Sequence, residues 1–251
     1  MAIADYSYNM ALYEKYHSNR RLEKRVISDF DYTHRPLLSV LPYRNYKNKK
    51  ILDIGCGTGT TCFYFASKGA DVLGVDISRN AIRLAKVNSK YLGLSDKVRF
   101  SEVNFPDTKV KGKYDLVLCS ETLEHIKDHE KALNEIYKLM SKKGFVLFSV
   151  PLGSSFLYRH GLLDRFDTEV GHLRRYNESN FIKTIENSKF KIVKLKKNQG
   201  ILRDYLFTST TRSSLVALAN KFKTFSDILT FFDERLFFLG VSNMVVLAKK
   251  I

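Results

Sequence analysis

A strand that runs into a glycine-rich turn is the feature that most limits the fold of this chain. The segment from Ile51 to Thr60 is a short apolar run that breaks into three alternate glycines, Gly55, Gly57 and Gly59. Glycines in such a turn adopt backbone angles that other residues avoid, and they let a ligand lie against the main chain at the N-terminus of the next helix. The segment therefore predicts a nucleotide-binding turn at the carboxyl edge of a parallel sheet.

The glycine spacing and a second acid indicate which nucleoside is bound. Dinucleotide-binding folds favour the spacing GxGxxG, whereas this turn has GxGxG preceded by Asp53. The next apolar run ends in Asp76, 23 residues after Asp53, where a carboxylate can accept hydrogen bonds from both ribose hydroxyls. We therefore expect a nucleoside cofactor, with a nicotinamide dinucleotide as the less favoured alternative.

Short apolar runs alternate with amphipathic segments between residues 50 and 150, which predicts an α/β fold with a parallel sheet. The predicted strands are 50–54, 71–75, 98–103, 114–119, 145–150, 190–196 and 243–249. Helices are expected near Thr60, after a Ser78 cap and near Asn177. Another helix carries one apolar face before Lys143 and Gly144 turn into the fifth strand; that face comprises Ala132, Leu133, Ile136, Tyr137 and Met140.

We expect a single domain over residues 1–251. Residues 1–48 predict an N-terminal helical extension or lid, 49–198 the core, 199–239 a helical insert between strands six and seven, and 240–251 the last strand. The insert has more apolar side chains than one core-facing helix needs. It is therefore a candidate lid over a lipophilic substrate, a packed hairpin or dimer interface, or a membrane contact.

Charge and cysteine content set the range of partners and the compartment. The formal net charge of +16 favours an anionic substrate, a nucleic acid or an anionic membrane surface, although solvated lysines alone would also account for it. Cys56, Cys62 and Cys119 have neither metal-site nor disulfide spacing. Because no signal-peptide pattern or membrane-length apolar run is present, the sequence predicts a soluble, cytoplasmic protein of undetermined oligomeric state.

Residues 45–150 resemble the class I S-adenosylmethionine-dependent methyltransferases, and among them the type 11 branch that includes quinone-biosynthesis enzymes. The resemblance rests on Asp53 with the glycine turn, on Asp76 and on the fourth-strand segment 114–120. It implies S-adenosylmethionine as the cofactor and a Rossmann-like seven-stranded sheet whose last strand is antiparallel. The cofactor contacts that it implies are Asp53, Gly55, Cys56, Gly57, Gly59, Asp76, Ile77, Asn104, Phe105, Cys119 and Ser120.

A polar cluster follows the fourth strand and supplies the candidate catalytic residues. By the same resemblance, Glu121 and His125 line the active-site mouth while Glu124 supports the loop, and His125 is a candidate general base. Two other interpretations remain open. The cluster could bind a divalent metal together with His160 or His172, similar to small-RNA 3′-terminal 2′-O-methyltransferases, or it could cap a helix without taking part in catalysis. We expect no metal there, because arginines crowd the same segment.

The segment 171–176 supplies His172 as a third candidate catalytic residue. In one interpretation, His172 and either Arg174 or Arg175 bind a carboxylate or phosphate at the substrate entrance. In the other, these side chains hydrogen-bond loop carbonyls and hold the segment in place.

The function expected from these patterns is methyl transfer to the oxygen or nitrogen of a small, lipophilic or anionic acceptor. Such a transfer is an in-line displacement that depends on alignment more than on any particular side chain. Two alternatives are an RNA 2′-O-methyltransferase with a metal site and a cofactor-binding regulatory protein without turnover. A nucleic-acid partner is less favoured than a small molecule.

Overall fold

One mixed sheet forms the centre of the protein. The structure is a computed structural model that describes Ala11, Glu14 and residues 25–208 and 213–251. The strands in these residues are β1 (Lys50–Ile54), β2 (Asp71–Asp76), β3 (Val98–Glu102), β4 (Tyr114–Ser120), β5 (Met140–Pro151), β6 (Phe190–Asn198) and β7 (Asn243–Lys250). They lie in the order β3-β2-β1-β4-β5-β7-β6.

The directions of the strands confirm the predicted fold class. The strands β1 to β5 pair in parallel with their neighbours, whereas β7 pairs antiparallel with both β5 and β6. In the β5–β7 register, Ser149 lies opposite Val245 and Pro151 lies opposite Asn243. The sheet is therefore Rossmann-like with an antiparallel last strand, and its β1, β2, β4 and β5 carboxyl ends share one edge.

Helices connect the strands. They are α1 (Arg35–Leu38), α2 (Thr60–Ser67), α3 (Arg79–Tyr91), α4 (His129–Leu139), α5 (Phe156–Arg159), α6 (Asp164–Val170), α7 (Glu178–Asn187), α8 (Ile201–Thr208), α9 (Ser213–Lys221) and α10 (Lys223–Arg235). The Ser78 hydroxyl accepts a hydrogen bond from the Ala81 amide, and the Asn177 side chain accepts one from the Asn180 amide. Both predicted helix starts are therefore N-caps, which satisfy amides that have no partner inside the helix.

The predicted boundary between α4 and β5 was wrong. Met140 was expected on the helix, but α4 ends at Leu139, and Met140 pairs with Tyr114 as the first residue of β5. Gly144, predicted in a turn before the strand, lies inside β5 at a register shift where β5 has extra residues opposite β4. Strand pairing thus extends β5 over Met140 and Gly144, where the local sequence pattern favoured the end of a helix and a turn.

Both faces of the sheet are buried, as expected for parallel strands covered by helices. On one face, Leu52 belongs to the same buried cluster as Leu133 of α4. On the other face, Ile51 belongs to the same cluster as Phe63 of α2. The alternating side chains of β1 therefore face two separate hydrophobic layers. Polar side chains remain at the ends of the strands, outside these layers.

The helical insert predicted between β6 and β7 is present, and it packs against the N-terminal segment. Arg203 of α8 donates a hydrogen bond to the Tyr32 carbonyl (2.5 Å), and Ser226 of α10 donates one to the Phe30 carbonyl (3.0 Å). Of the helices predicted for residues 1–48, α1 lies in the described part; residues 1–10, 12–13 and 15–24 lie outside it. The two segments flank the same edge of the sheet.

The insert also exposes apolar surface. The large apolar residues of the insert that are at least 42% exposed are Tyr205, Leu215, Leu218, Phe222, Ile228, Phe231, Phe232 and Phe238. No helix in the described part of the chain is both long enough and apolar enough to cross a membrane. The expected contact of this surface with an anionic membrane, or with a second copy of the chain, stays a prediction.

A buried ion pair inside the insert leads to a stability prediction. Asp233 accepts hydrogen bonds from the amides of Gly200 and Arg203 (both 2.9 Å), and its carboxylate lies 3.7 Å from the Arg203 guanidinium. Since both side chains are at most 3% exposed, Asp233→Ala leaves a buried cation without its partner. We expect the free energy of unfolding to fall by about 3–5 kcal/mol, measured by chemical denaturation.

Asp227→Ala is the matched control for this prediction. Asp227 also lies on α10 and pairs with Arg35 and Lys223, but it is substantially exposed, so its loss should change stability much less. Equal effects of the two substitutions would show that burial of the Asp233 pair does not matter.

Candidate active site

A cavity of about 1010 Å³ opens at the carboxyl edge of the sheet. One end is lined by the glycine turn and by the ends of β1 and β2, and the other by the segment after β4 and by the loop that carries His172. Ends of parallel strands are where open α/β folds place ligands, because the loops diverge there. The cavity therefore has two ends, which we call the donor end and the acceptor end after the roles expected from the sequence.

The donor end is built around Asp76. Its Oδ2 accepts a hydrogen bond from the Gly57 amide (2.8 Å), and its Oδ1 accepts one from the Ser78 amide (2.9 Å). These contacts hold the carboxylate between the glycine turn and the N-terminus of α3. A carboxylate has about four lone-pair positions, more than these two hydrogen bonds use.

Two of the three glycines are required by close packing. A Cβ on Gly55 would lie 2.2 Å from the Thr122 hydroxyl oxygen, and a Cβ on Gly59 would lie 2.8 Å from the rings of Phe63 and Phe100. Both residues also have positive φ angles, +74° and +94°. Gly55 thus brings β1 against the segment after β4, whereas Gly59 packs against aromatic rings and is not part of the cavity lining.

Asp53 lies below the glycine turn and is 3% exposed. It accepts hydrogen bonds from the Thr61 hydroxyl and from the Cys62 thiol (3.3 Å), both on α2. Burial raises the pKa of Asp53 to about 6. Its contacts join β1 to α2, so a structural role accompanies any contact with a cofactor.

Most of the predicted cofactor residues line the cavity. Those that do are Asp53, Gly55, Cys56, Gly57, Asp76, Ile77, Asn104, Phe105 and Ser120. Cys119 does not, because its side chain is fully buried in the cluster beneath the sheet. Sequence reasoning missed lining residues from distant segments, namely Thr33, His34, Leu37, Phe207 and Val216. No local motif marks these residues, since only packing of the insert and the N-terminal segment brings them to the cavity.

Glu121 begins the acceptor end in a left-handed backbone conformation, with φ of 49°. Its Oε1 accepts hydrogen bonds from the Ser149 hydroxyl (2.5 Å) and from the Asn243 amide (2.6 Å). Asn243 in turn accepts a hydrogen bond from the Asn198 amide (3.0 Å). The carboxylate is therefore held by β5 and β7, which explains the strained backbone at a residue that lines the cavity.

Glu124, His125 and His172 come together behind Glu121. The side chain of Glu124 is 0% exposed, and its Oε1 lies 3.9 Å from His125 Nε2 and 3.8 Å from His172 Nε2. Burial raises the pKa of Glu124 well above its usual value, and the charge of Glu121 acts in the same direction. Burial also lowers the pKa of His125 to about 4, so this imidazole is neutral at pH 7.

The other nitrogens of the two imidazoles are held in place. His125 Nδ1 donates a hydrogen bond to the Gly171 carbonyl (2.9 Å), and His172 Nδ1 donates one to the Asp167 carboxylate (2.8 Å). The structure thus brings His172 to the cluster, whereas His160 is exposed and contacts the Phe156 carbonyl of its own helix (2.8 Å).

The arginines of segment 171–176 hold the loop. Arg174 donates hydrogen bonds to the carbonyls of Ile126 (2.5 Å) and Lys127 (3.0 Å), and Arg175 binds the Asp167 carboxylate through two nitrogens (2.7 and 2.6 Å). Neither arginine lines the cavity. The arginines thus make the loop-holding contacts of the second interpretation, whereas His172 lines the cavity as in the first, and its role in binding a substrate stays a prediction.

Comparison with known proteins identifies the family. Residues 19–195, more than half of the chain, match the family described as "Methyltransferase domain". The chain belongs to this family. A ubiquinone biosynthesis O-methyltransferase of Bordetella avium is 30% identical over 124 residues, which cover 46% of this chain and 52% of that protein. The chain thus spans about half the length of this curated relative. The predicted resemblance to class I methyltransferases is confirmed.

Solved structures share the fold. A protein from Listeria monocytogenes described as a putative S-adenosylmethionine-dependent methyltransferase has a TM-score of 0.61 and 19% identity, over 88% of this chain and 98% of that one. Magnesium protoporphyrin IX methyltransferase of Synechocystis with bound S-adenosylhomocysteine has a TM-score of 0.56 and 18% identity, over 82% and 76%. At these identities the similarity concerns the fold alone.

The close packing of Gly55 generates a second prediction. Gly55→Ala should reduce both stability and donor affinity, because the new methyl group cannot fit beside Thr122 and the donor turn must shift. We expect a loss of stability of about 2–4 kcal/mol, from backbone strain and overpacking together. Thermal unfolding and calorimetry with S-adenosylhomocysteine measure the two effects.

Gly93→Ala separates strain from packing. Gly93 has a similar φ of +67°, but no atom lies within 4 Å of the position that a Cβ would take there. Its substitution therefore costs only the backbone strain, about 1 kcal/mol. If Gly55→Ala behaved like Gly93→Ala, the contact with Thr122 would have no structural importance.

Proposed function

We propose that the protein transfers the methyl group of S-adenosylmethionine to a small acceptor, at oxygen or nitrogen, with oxygen favoured. The observation that carries the proposal is one cavity that joins the glycine turn and Asp76 to the polar cluster of Glu121 and His125. Donor and acceptor must meet in such a shared space, since the transfer is a direct displacement. The relatives named O-methyltransferase favour oxygen.

The donor half of the cavity suits an adenosine. The Asp76 carboxylate accepts the ribose hydroxyls in this proposal, and the backbone of the glycine turn lies against the methionyl part. Asn104 and Phe105 line the same end, where an amide and an aromatic ring suit the adenine base. Ser120 also lines the cavity and directly precedes Glu121 in the chain, so in this proposal it lies near the methionyl part of the donor.

The acceptor half combines an apolar wall with a polar end. Phe166 and Val170 come from the loop after β5, and Phe207 and Val216 come from the insert. The polar end is formed by Glu121, His125 and His172. We infer an acceptor with an apolar body and a hydroxyl or amine at one end, oriented by the three polar residues while the insert covers it and excludes water.

Substitution of Asp76 tests the donor half. Asp76→Ala should weaken binding of S-adenosylmethionine and S-adenosylhomocysteine by about 1.5–3 kcal/mol, or roughly 10- to 150-fold, because charged hydrogen bonds to ribose are lost. Calorimetry measures the change, and thermal unfolding checks that the turn remains folded. Glu102→Ala is the control, since Glu102 lies beside Asp76 on β3 but pairs with Arg79 at the surface. Unchanged affinity in the Asp76 variant would refute the donor site.

A labelling experiment tests the acceptor class. The protein is incubated with methyl-labelled S-adenosylmethionine and fractionated cell extract, and label is followed into lipid, small polar and RNA fractions. We expect RNase-resistant label in a lipid or small polar fraction. Label in RNA would support the 2′-O-methyltransferase alternative instead, and donor binding without any transfer would support the regulatory one. The Asp76→Ala variant is the background control.

A further inference from the structure

Three buried polar side chains surround a carboxylate that is itself exposed. Glu121 is an exposed residue of the cavity wall, whereas Ser149, Asn198 and Asn243 are only 5–6% exposed. A solvated carboxylate needs no protein partner, and burying amide or hydroxyl groups costs free energy unless they are hydrogen-bonded. The buried groups therefore fix the position of a side chain that water alone would solvate.

The antiparallel direction of β7 brings these groups to Glu121. Asn243 is the first residue of β7, and it pairs with Pro151 at the end of β5 and with Asn198 at the end of β6. Because β7 runs opposite to β5, its first residue lies at the edge of the sheet where β5 ends. The reversed strand thus places an asparagine side chain beside the cavity.

The hydrogen bonds of this network all run towards Glu121. Asn198 donates to Asn243 Oδ1 (3.0 Å), so Asn243 turns its NH₂ group to Glu121 Oε1 (2.6 Å). The Ser149 hydroxyl donates to the same oxygen (2.5 Å), and the Ser149 carbonyl accepts a hydrogen bond from the Glu121 amide (2.9 Å). Two donors on one oxygen suit a carboxylate, which only accepts hydrogen bonds.

The second carboxylate oxygen of Glu121 is left for a bound molecule. Within the described part of the chain, the hydrogen bonds to this side chain reach Oε1 and none reaches Oε2. Because Glu121 lines the acceptor end of the cavity, Oε2 can accept a hydrogen bond from a ligand there. It presents a lone pair and a negative charge, but no hydrogen.

Most basic side chains around the acceptor end are neutral or already paired. Burial lowers the pKa of His125 to about 4, so this ring carries no charge at pH 7. The arginines of segment 171–176 hold the loop, and Lys131 of the cavity lining pairs with Asp107. The two side chains that bind Glu121 are themselves neutral. They orient its charge without compensating it.

We propose that Asn243, fixed by Asn198 and assisted by Ser149, positions Glu121 so that the cavity selects a methyl acceptor ending in a hydroxyl or protonated amine and rejects a carboxylate or phosphate there. This inference rests on the function proposed above and narrows it, since the sequence left an anionic acceptor open. The net charge of +16 acts the opposite way, because it attracts anions in general. A preference for a cation therefore identifies the local effect of Glu121.

Small probes test the selection without knowledge of the natural acceptor. Phenylpropylamine, phenylpropanol and phenylpropanoate share one apolar body and differ in the charge of the end group. Their affinities are measured by NMR titration at neutral pH in the presence of S-adenosylhomocysteine. We expect the amine to bind at least about 10-fold more tightly than the carboxylate, because a charge-assisted hydrogen bond replaces charge repulsion. The alcohol should lie between them.

Substitutions of Glu121 and Asn243 separate charge from position. Glu121→Gln should abolish the preference for the amine, because the charge is gone. Asn243→Leu should weaken amine binding by about 3- to 10-fold, because the carboxylate loses a hydrogen bond that orients it. In the Glu121→Gln protein, Asn243→Leu should have no further effect, since Asn243 acts through Glu121. A merely structural role of Asn243 would give additive losses instead.

Ser242→Ala is the matched control. Ser242 precedes Asn243 and is 2% exposed, but its hydroxyl contacts Asp204 and the Gln199 carbonyl and not Glu121. This variant should keep the preference for the amine. S-adenosylhomocysteine affinity, measured on every variant, shows whether it is folded.

If Asn243→Leu does not fold, Asn198→Ala takes its place in the cycle, because it releases the Asn243 amide. The proposal is overturned if the unaltered protein binds the amine no more tightly than the carboxylate. It is equally overturned if the effects at Glu121 and at the asparagine are additive, or if Ser242→Ala loses the preference.

The labelling experiment separates this proposal from the proposed function. A preference for the amine that depends on Glu121 and Asn243, in a protein that transfers no label to any fraction, would support the selective end of the cavity and refute methyl transfer. Label transfer by a protein that does not distinguish the three probes would do the opposite.

Discussion

The contact between Gly55 and Thr122 is the constraint on which the site depends. It joins the turn after β1 to the segment after β4, at a separation that leaves no room for a Cβ on Gly55. The Thr122 hydroxyl lies within hydrogen-bond distance of the carbonyls of Ile54 (3.1 Å) and Ser120 (2.9 Å). Because both strand ends meet at this point, the glycine turn and Glu121 face one cavity. A longer separation would split the donor end from the acceptor end.

The antiparallel last strand contributes to the same cavity. The side chain of Asn243 on β7 holds the Glu121 carboxylate, and Phe207 and Val216 of the insert before β7 reach the cavity. The insert is in turn tied to the N-terminal segment by the buried Arg203. The parts of the chain that differ from the repeating core thus line this cavity, which agrees with a shared core fold that carries variable segments around its site.

Charge is distributed unevenly between the two ends of the cavity. At the donor end, Asp76 has its acceptor positions partly satisfied by backbone amides, so a neutral ribose can complete them. At the acceptor end, Glu124 has no such partners and faces two oriented imidazoles. The low dielectric of a buried site strengthens this difference, since an unsatisfied charge costs most where water is absent. This contrast distinguishes the two ends of the cavity chemically.

The sequence by itself determined the local elements: the strands, the glycine turn with Asp76, and the capped helix at Ser78. These follow from periodicity and from backbone preferences that act over a few residues. Only the tertiary structure placed His172, and not His160, beside Glu124, turned Arg174 and Arg175 into loop supports, and moved Met140 from helix to strand. Such outcomes depend on contacts between distant segments, which no short-range pattern encodes, because the packing of the whole sheet decides which loops meet.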